Sequence, residues 1–177
     1  FPKNIYSATK KIIEEIGEDI SKISNMEIIG LRFFTVYGKY GRPDMFIYKY
    51  LESLINKKKF NLFNSGNHLR DYTHIDDVVE IMDLLISKKM SKKFEIFNIC
   101  SNKPIDINKL SLFIAKFLGK KAKFVFKARN QIEVIKTHGD NRKVLKFLNY
   151  KIKKNIYLEL PKIINWYKQN KIWKLKI

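Results

Sequence analysis

Apolar residues recur at helical spacing over residues 6–24, with Ile12, Ile13, Ile16, Ile20 and Ile23 on one broad face and charged residues opposite. This pattern predicts an amphipathic helix. Residues 26–34 are instead nearly continuous in apolar character, as in a strand buried on both faces of a parallel sheet. A loop follows over residues 37–44, where Pro43 is placed to open a helix running to about Lys57. Residues 60–63 read as a short strand before a Ser65-Gly66 turn, and residues 69–75 extend again until Asp76 or Asp77 caps a helix to about Lys88. The buried-strand pattern returns over residues 94–100. Asp106 or Asn108 then starts a helix ending near Gly119, and residues 122–127 form a further strand. One helix follows Asp140, which reads as a cap, and a longer one runs towards Trp166 and Tyr167. Pro161 within it implies a kink or a later start. Alternating strands and helices imply an α/β fold with a partly parallel sheet. There is no internal repeat or Gly/Ser linker.

Composition narrows the class. A chain of 177 residues with 45% hydrophobic content can bury one core. Its single cysteine, Cys100, excludes an intrachain disulfide framework, and no leader pattern opens the chain, so a cytoplasmic location is expected. Lysines interrupt every apolar run before the roughly 18–20 residues that a membrane span needs, so no membrane partner is expected. The formal charge of +19 would favour a polyanionic partner, but the lysines are spread along the whole chain, and no nucleic-acid partner is expected. The five arginines, at 32, 42, 70, 129 and 142, are more informative. A planar, bidentate guanidinium is what lysine cannot imitate at a phosphate or carboxylate.

Tyr6 and Lys10 stand four residues apart on one helix face. A nearby cation favours phenolate and suits a tyrosine for acid/base work. The spacing alone discriminates little, because Tyr150/Lys154 and Tyr167/Lys171 share it and an ordinary surface pair is the alternative for each. Tyr6 differs in its surroundings: small Ser7, Ala8 and Thr9 leave room for a ligand, and a buried strand follows.

Three ordered blocks carry a more specific signal. Tyr6-Ser-Ala-Thr-Lys10-Lys11, then Leu31-Arg32-Phe33-Phe34-Thr35-Val36-Tyr37-Gly38-Lys39-Tyr40-Gly41-Arg42-Pro43-Asp44-Met45, then Arg70-Asp71-Tyr72-Thr73-His74-Ile75-Asp76-Asp77 resemble the extended short-chain dehydrogenase/reductase family of nucleotide-sugar epimerases and dehydratases. The middle block resembles the UDP-glucuronate 4-epimerase branch. The resemblance implies the C-terminal part of a Rossmann-like parallel sheet with a small α/β substrate-binding domain. It divides the chain into residues 1–42 and 94–102 of the cofactor domain, and residues 43–93 and 103–177 of the substrate region. It implies NAD as cofactor and a UDP-sugar as substrate, in surface polysaccharide synthesis, with a homodimer as a family expectation.

The resemblance also implies roles. Tyr6 would exchange the proton of the sugar 4-hydroxyl while C4 gives hydride to NAD, and Lys10 would hold the nicotinamide ribose. Tyr37, with Gly38, would form the turn beside the nicotinamide. Thr35 and Arg42 would hold the sugar carboxylate, since a 4-keto uronic acid is a β-keto acid that loses carbon dioxide unless its carboxylate is oriented against that path. Arg70 would contact the diphosphate, and backbone near Leu62 the uracil. The alternatives are a strand-end threonine at 35, an Arg42 stacked on Tyr40, and an Arg70–Asp71 ion pair. Three scattered histidines offer no metal-ligand spacing, so no metal is expected.

Two positions depart from the branch. Lys39 replaces its usual Pro, and Asn130-Gln131-Ile132-Glu133 replaces a Pro-Gly-Asp step, so Arg129 is given no role. No glycine-rich fingerprint for a dinucleotide pyrophosphate occurs among these residues, and Phe1 opens on a loop into a helix. The expectation is an upstream cofactor-binding part, without which the chain binds NAD poorly and turns over nothing. The other readings are a different nucleotide-sugar 4-epimerase or 4,6-dehydratase, and an inert remnant or basic binding module.

Overall fold

The two continuous apolar runs lie side by side as parallel strands, β1 (Ile28–Phe33) and β5 (Phe94–Ile99), in register from Ile28 opposite Phe94 to Phe33 opposite Ile99. The computed structural model describes residues 5–129 and 134–170, so Lys171 and the 130–133 departure lie outside the described residues. Helix α1 (Ile5–Ile23) precedes β1, and β2 (Thr35–Tyr37) follows it after one residue. Next come α2 (Phe46–Ile55), β3 (Phe60–Phe63), β4 (Leu69–His74) and α3 (Ile75–Ser87), all before β5. After β5 come β6 (Pro104–Asp106), α4 (Ile107–Phe117), β7 (Phe124–Lys127), α5 (Arg142–Leu148) and α6 (Ile156–Gln169). Strand β4 is the centre of a second sheet, parallel to β2 and antiparallel to β6, while β3 pairs with β7 in parallel.

Two apolar clusters hold these layers. Val78, Ile81 and Leu85 of α3 and Val144 of α5 pack on Phe97 and Ile99 of β5, with Ile29 and Leu31 of β1 against them. The other cluster joins α2, α4 and α6 through Tyr50, Leu51, Leu110, Ile114, Leu160 and Ile164, each fully buried. Helix α3 falls within residues 43–93, yet it packs with β1 and β5. The isoleucine face of α1 is not covered within the described chain: Ile12, Ile13 and Ile16 are each at least half exposed.

Three local readings change in the structure. Pro43 lies outside α2, which begins at Phe46 after Met45 in extended backbone. The cap of α3 is His74, whose Nδ1 accepts from Asp76 N at 3.1 Å, so neither aspartate caps it. Burial lowers the His74 pKa, which favours the neutral ring that this bond needs. Asp77 is instead a buried clasp that accepts from the Tyr150 hydroxyl and from the amides of Lys153 and Lys154. Pro161 does not delay α6, which starts at Ile156 and runs through it, so the later start is excluded. The proline gives up one amide bond, and burial of Leu160, Ile163 and Ile164 around it offsets the loss.

Gly38 closes the β2 end against α3. Its φ is +153°, and a β-carbon there would lie 2.3 Å from Ile75 Cγ2. Gly38→Ala is therefore expected to cost about 3 kcal/mol through overpacking and backbone strain. Urea unfolding of the two chains checks this, and an unchanged midpoint would refute it.

Candidate functional site

The chain leaves the carboxyl end of β1 at Phe33 and re-enters a strand at Thr35, whose partner across β2 and β4 is Tyr72. In α/β sheets this end of a parallel strand is where ligands sit. Arg70, two residues earlier on β4, and Thr35 both line an open pocket of about 550 Å³. Leu62, Phe46 and Phe60 give it an apolar wall, and Lys49, Lys59 and Arg70 give it a cationic rim. Arg70 is anchored there, donating through Nη1 to the carbonyls of Leu69 and Ile135 at 3.0 Å each. The Arg70–Asp71 ion pair does not form. Asp71 is fully buried and accepts from Ser101, Asn102 and Gly139 instead.

Arg42 lines a small adjoining pocket that shares Thr35, Met45 and Tyr72 with the large one. It does not stack on Tyr40, whose ring meets Trp166 edge-on at 4.8 Å. Its guanidinium grips Asp44 in a fork, Nε at 3.0 Å and Nη2 at 2.5 Å. That bond holds the Asp44 carboxyl below its usual range and raises Arg42, to which the Tyr6 phenol adds a smaller contribution. Tyr6 does not line either pocket.

The three tyrosines at Tyr-x-x-x-Lys spacing separate in the fold. Tyr6 is 71% exposed, with Lys10 Nζ 5.4 Å from its ring centroid, and no hydrogen bond reaches its hydroxyl among the described residues. Tyr150 and Tyr167 are buried, and their hydroxyls donate to Asp77 and Glu80 and to Glu52. Burial and those carboxylates push both phenols upward, which opposes acid/base use. The Tyr37 ring turns inward against Tyr72 and His74, so only backbone of the Tyr37–Gly38 turn could meet a ligand. Gly38 is demanded by its close approach to Ile75.

Sequence reasoning passed over Lys49, Lys59 and His68, which all line the pocket. With 36 basic residues along the chain, no local signal distinguished those two lysines. Among the described residues no group of three or more His, Cys, Asp or Glu could hold a metal ion, and no helix is long and apolar enough to cross a membrane.

The NAD dependent epimerase/dehydratase family matches residues 1–100. An uncharacterized protein of Methanocaldococcus jannaschii is 38% identical over 176 residues, covering 99% of this chain and 53% of that protein. A UDP-glucuronate 4-epimerase of Thermodesulfobacterium geofontis is 33% identical over 170 residues, covering 96% of this chain and 52% of its own length. Among solved structures, MoeE5 in complex with UDP-glucuronic acid and NAD superposes with a TM-score of 0.90 at 25% identity, covering 96% of this chain and 57% of that one. The UDP-glucuronic acid 4-epimerase of Bacillus cereus, in complex with UDP-glucuronic acid and NAD, gives 0.89 at 27% identity, with 96% and 54% covered. The chain thus spans about half the length of the relatives it matches.

Proposed function

The chain belongs to the NAD dependent epimerase/dehydratase family, and from that premise we propose that it forms the substrate-binding and catalytic-tyrosine part of a UDP-glucuronate 4-epimerase. The observation that carries this reading is the clustering of Thr35, Arg42 and Arg70 around two contiguous pockets, with an exposed Tyr6–Lys10 pair on α1. A UDP-sugar fits the large pocket: Arg70 and the rim lysines face the diphosphate, backbone near Leu62 faces the uracil, and Thr35 and Arg42 face the sugar carboxylate. The two forked N–H donors of Arg42 match a carboxylate, and orienting it resists decarboxylation of the keto sugar.

NAD, when bound, supplies the acceptor that takes hydride from C4 and returns it to the opposite face. The chain's own part is proton work and grip. Tyr6 takes the proton of the 4-hydroxyl as the hydride leaves and restores it on return. Lys10 keeps positive charge over the phenol and would hold the cofactor ribose, with the Tyr37–Gly38 backbone on the nicotinamide side. The exposed Tyr6 hydroxyl and its cation fit that group. The pyrophosphate and adenosine would be held by a unit outside these residues, against the open edge of β1 and the uncovered face of α1. Residues 1–42 and 94–102 belong with that unit in this reading. The protein works in the cytoplasm, as a homodimer, on a sugar for surface polysaccharide.

Titration calorimetry on this chain is expected to show UDP-glucuronate binding that weakens about tenfold in Arg70→Lys, which keeps the charge but loses the fork. Binding of no UDP compound at all would refute the reading. So would a protein containing this chain that converts UDP-glucuronate only to a decarboxylated pentose.

A further inference from the structure

Asp44 is the one acidic side chain lining the large pocket among the described residues, and it shares that lining with Lys49, Lys59 and Arg70. Both of its carboxylate oxygens nonetheless turn to Arg42, on Nε and Nη2. A planar anion can take a guanidinium on its Nε/Nη2 edge or on its Nη1/Nη2 edge, and Asp44 holds the first of these on Arg42. Asp44 and a bound hexuronic acid cannot occupy that edge together. The pair is also exposed, 76% for the Arg42 side chain and 43% for Asp44, so water screens it and leaves it weak enough to exchange. Lys49 offers the released carboxylate another partner, since its charge already reaches Asp44.

We propose that Asp44 is an internal stand-in for the sugar carboxylate, occupying the Arg42 fork until a hexuronic acid displaces it and thereby setting the preference between acidic and neutral sugars. This inference rests on the reading of Arg42 as the carboxylate contact. A neutral hexose leaves the Arg42–Asp44 pair intact. A hexuronic acid that takes the same edge must break it and then sits near a second negative charge. Asp44 therefore lowers affinity for the acidic sugar selectively.

The test is calorimetric titration of this chain and its Asp44→Asn variant with UDP-glucuronate and with UDP-glucose. Asp44→Asn is expected to raise the affinity ratio of UDP-glucuronate to UDP-glucose about fivefold. In an Arg42→Ala background the same change is expected to leave that ratio unmoved. A ratio that falls in Asp44→Asn would mean that Asp44 positions Arg42 for the substrate, and the inference would be overturned. Equal gains for both sugars would indicate a diffuse charge effect and would overturn it too. Failure of both UDP-sugars to bind the unaltered chain would overturn the reading of the site and this inference with it, whereas binding with an unmoved ratio overturns this inference alone.

Discussion

Asp71→Asn is expected to lower the unfolding free energy of this chain by about 4 kcal/mol. Asp71 is fully buried on β4 and carries four hydrogen bonds. Oδ1 accepts from Ser101 N at 2.9 Å and Ser101 Oγ at 2.7 Å, while Oδ2 accepts from Asn102 N at 3.1 Å and Gly139 N at 3.2 Å. The carboxylate therefore ties β4 to the β5–β6 connection and to the segment entering α5. An asparagine can accept at one end only, and its amide would face backbone N–H groups at the other. Two donors would lose their acceptor in a place water cannot fill. Gly139 is packed so closely that a β-carbon would lie 2.5 Å from Cys100 Sγ, so that segment cannot shift to compensate. Urea denaturation should show a lower midpoint with an unchanged slope. A loss under about 1 kcal/mol would show that these bonds are replaceable.

Tyr6→Phe, in an active protein that contains this chain, is expected to lower kcat about a thousandfold with KM little changed. The substitution keeps the ring, and with it the cation contact to Lys10 at 5.4 Å from the centroid, and removes only the hydroxyl to which the proposed mechanism gives the proton. Tyr6 lies on the exposed first turn of α1, so stability should not move. Tyr150→Phe is the informative control. It removes the phenol that donates to Asp77 and Glu80, and should cost stability while sparing the catalytic step. Steady-state epimerisation assays with parallel thermal melts separate the two. A Tyr6→Phe enzyme keeping more than about a tenth of its turnover would remove this residue from the mechanism.

Much of the fold was legible because its elements are strongly periodic. The continuous apolar runs became β1 and β5, and the helical repeat from Tyr6 became α1. Asp106 caps α4 by accepting from Lys109 N, as one of the two expected starts. The short strands β2 and β6, three residues each, were not legible, because a strand of that length exists only through its pairing with β4. The α3 cap was misassigned because aspartate is the commoner cap, whereas here the ring of His74 is held in place by the Tyr37 ring at 5.0 Å.

The site divides in the same way. The resemblance of three ordered sequence blocks to the epimerase family singled out Tyr6, Lys10, Thr35, Arg42 and Arg70, and the chemistry of proton transfer and forked anion recognition is compatible with the tyrosine and the two arginines. Spacing could not rank three equivalent Tyr-x-x-x-Lys pairs; burial beside Glu52, Asp77 and Glu80 removed two of them. Nor could it reveal that Arg42 already holds Asp44, or that Lys49 and Lys59 face the same pocket as Arg70. By itself the sequence determined the helices and long strands, which follow from local pattern, and offered candidate side chains for the chemistry. Only the tertiary structure decided which of those groups are accessible, which are neutralised and which share a pocket, because desolvation and pairing depend on residues distant along the chain.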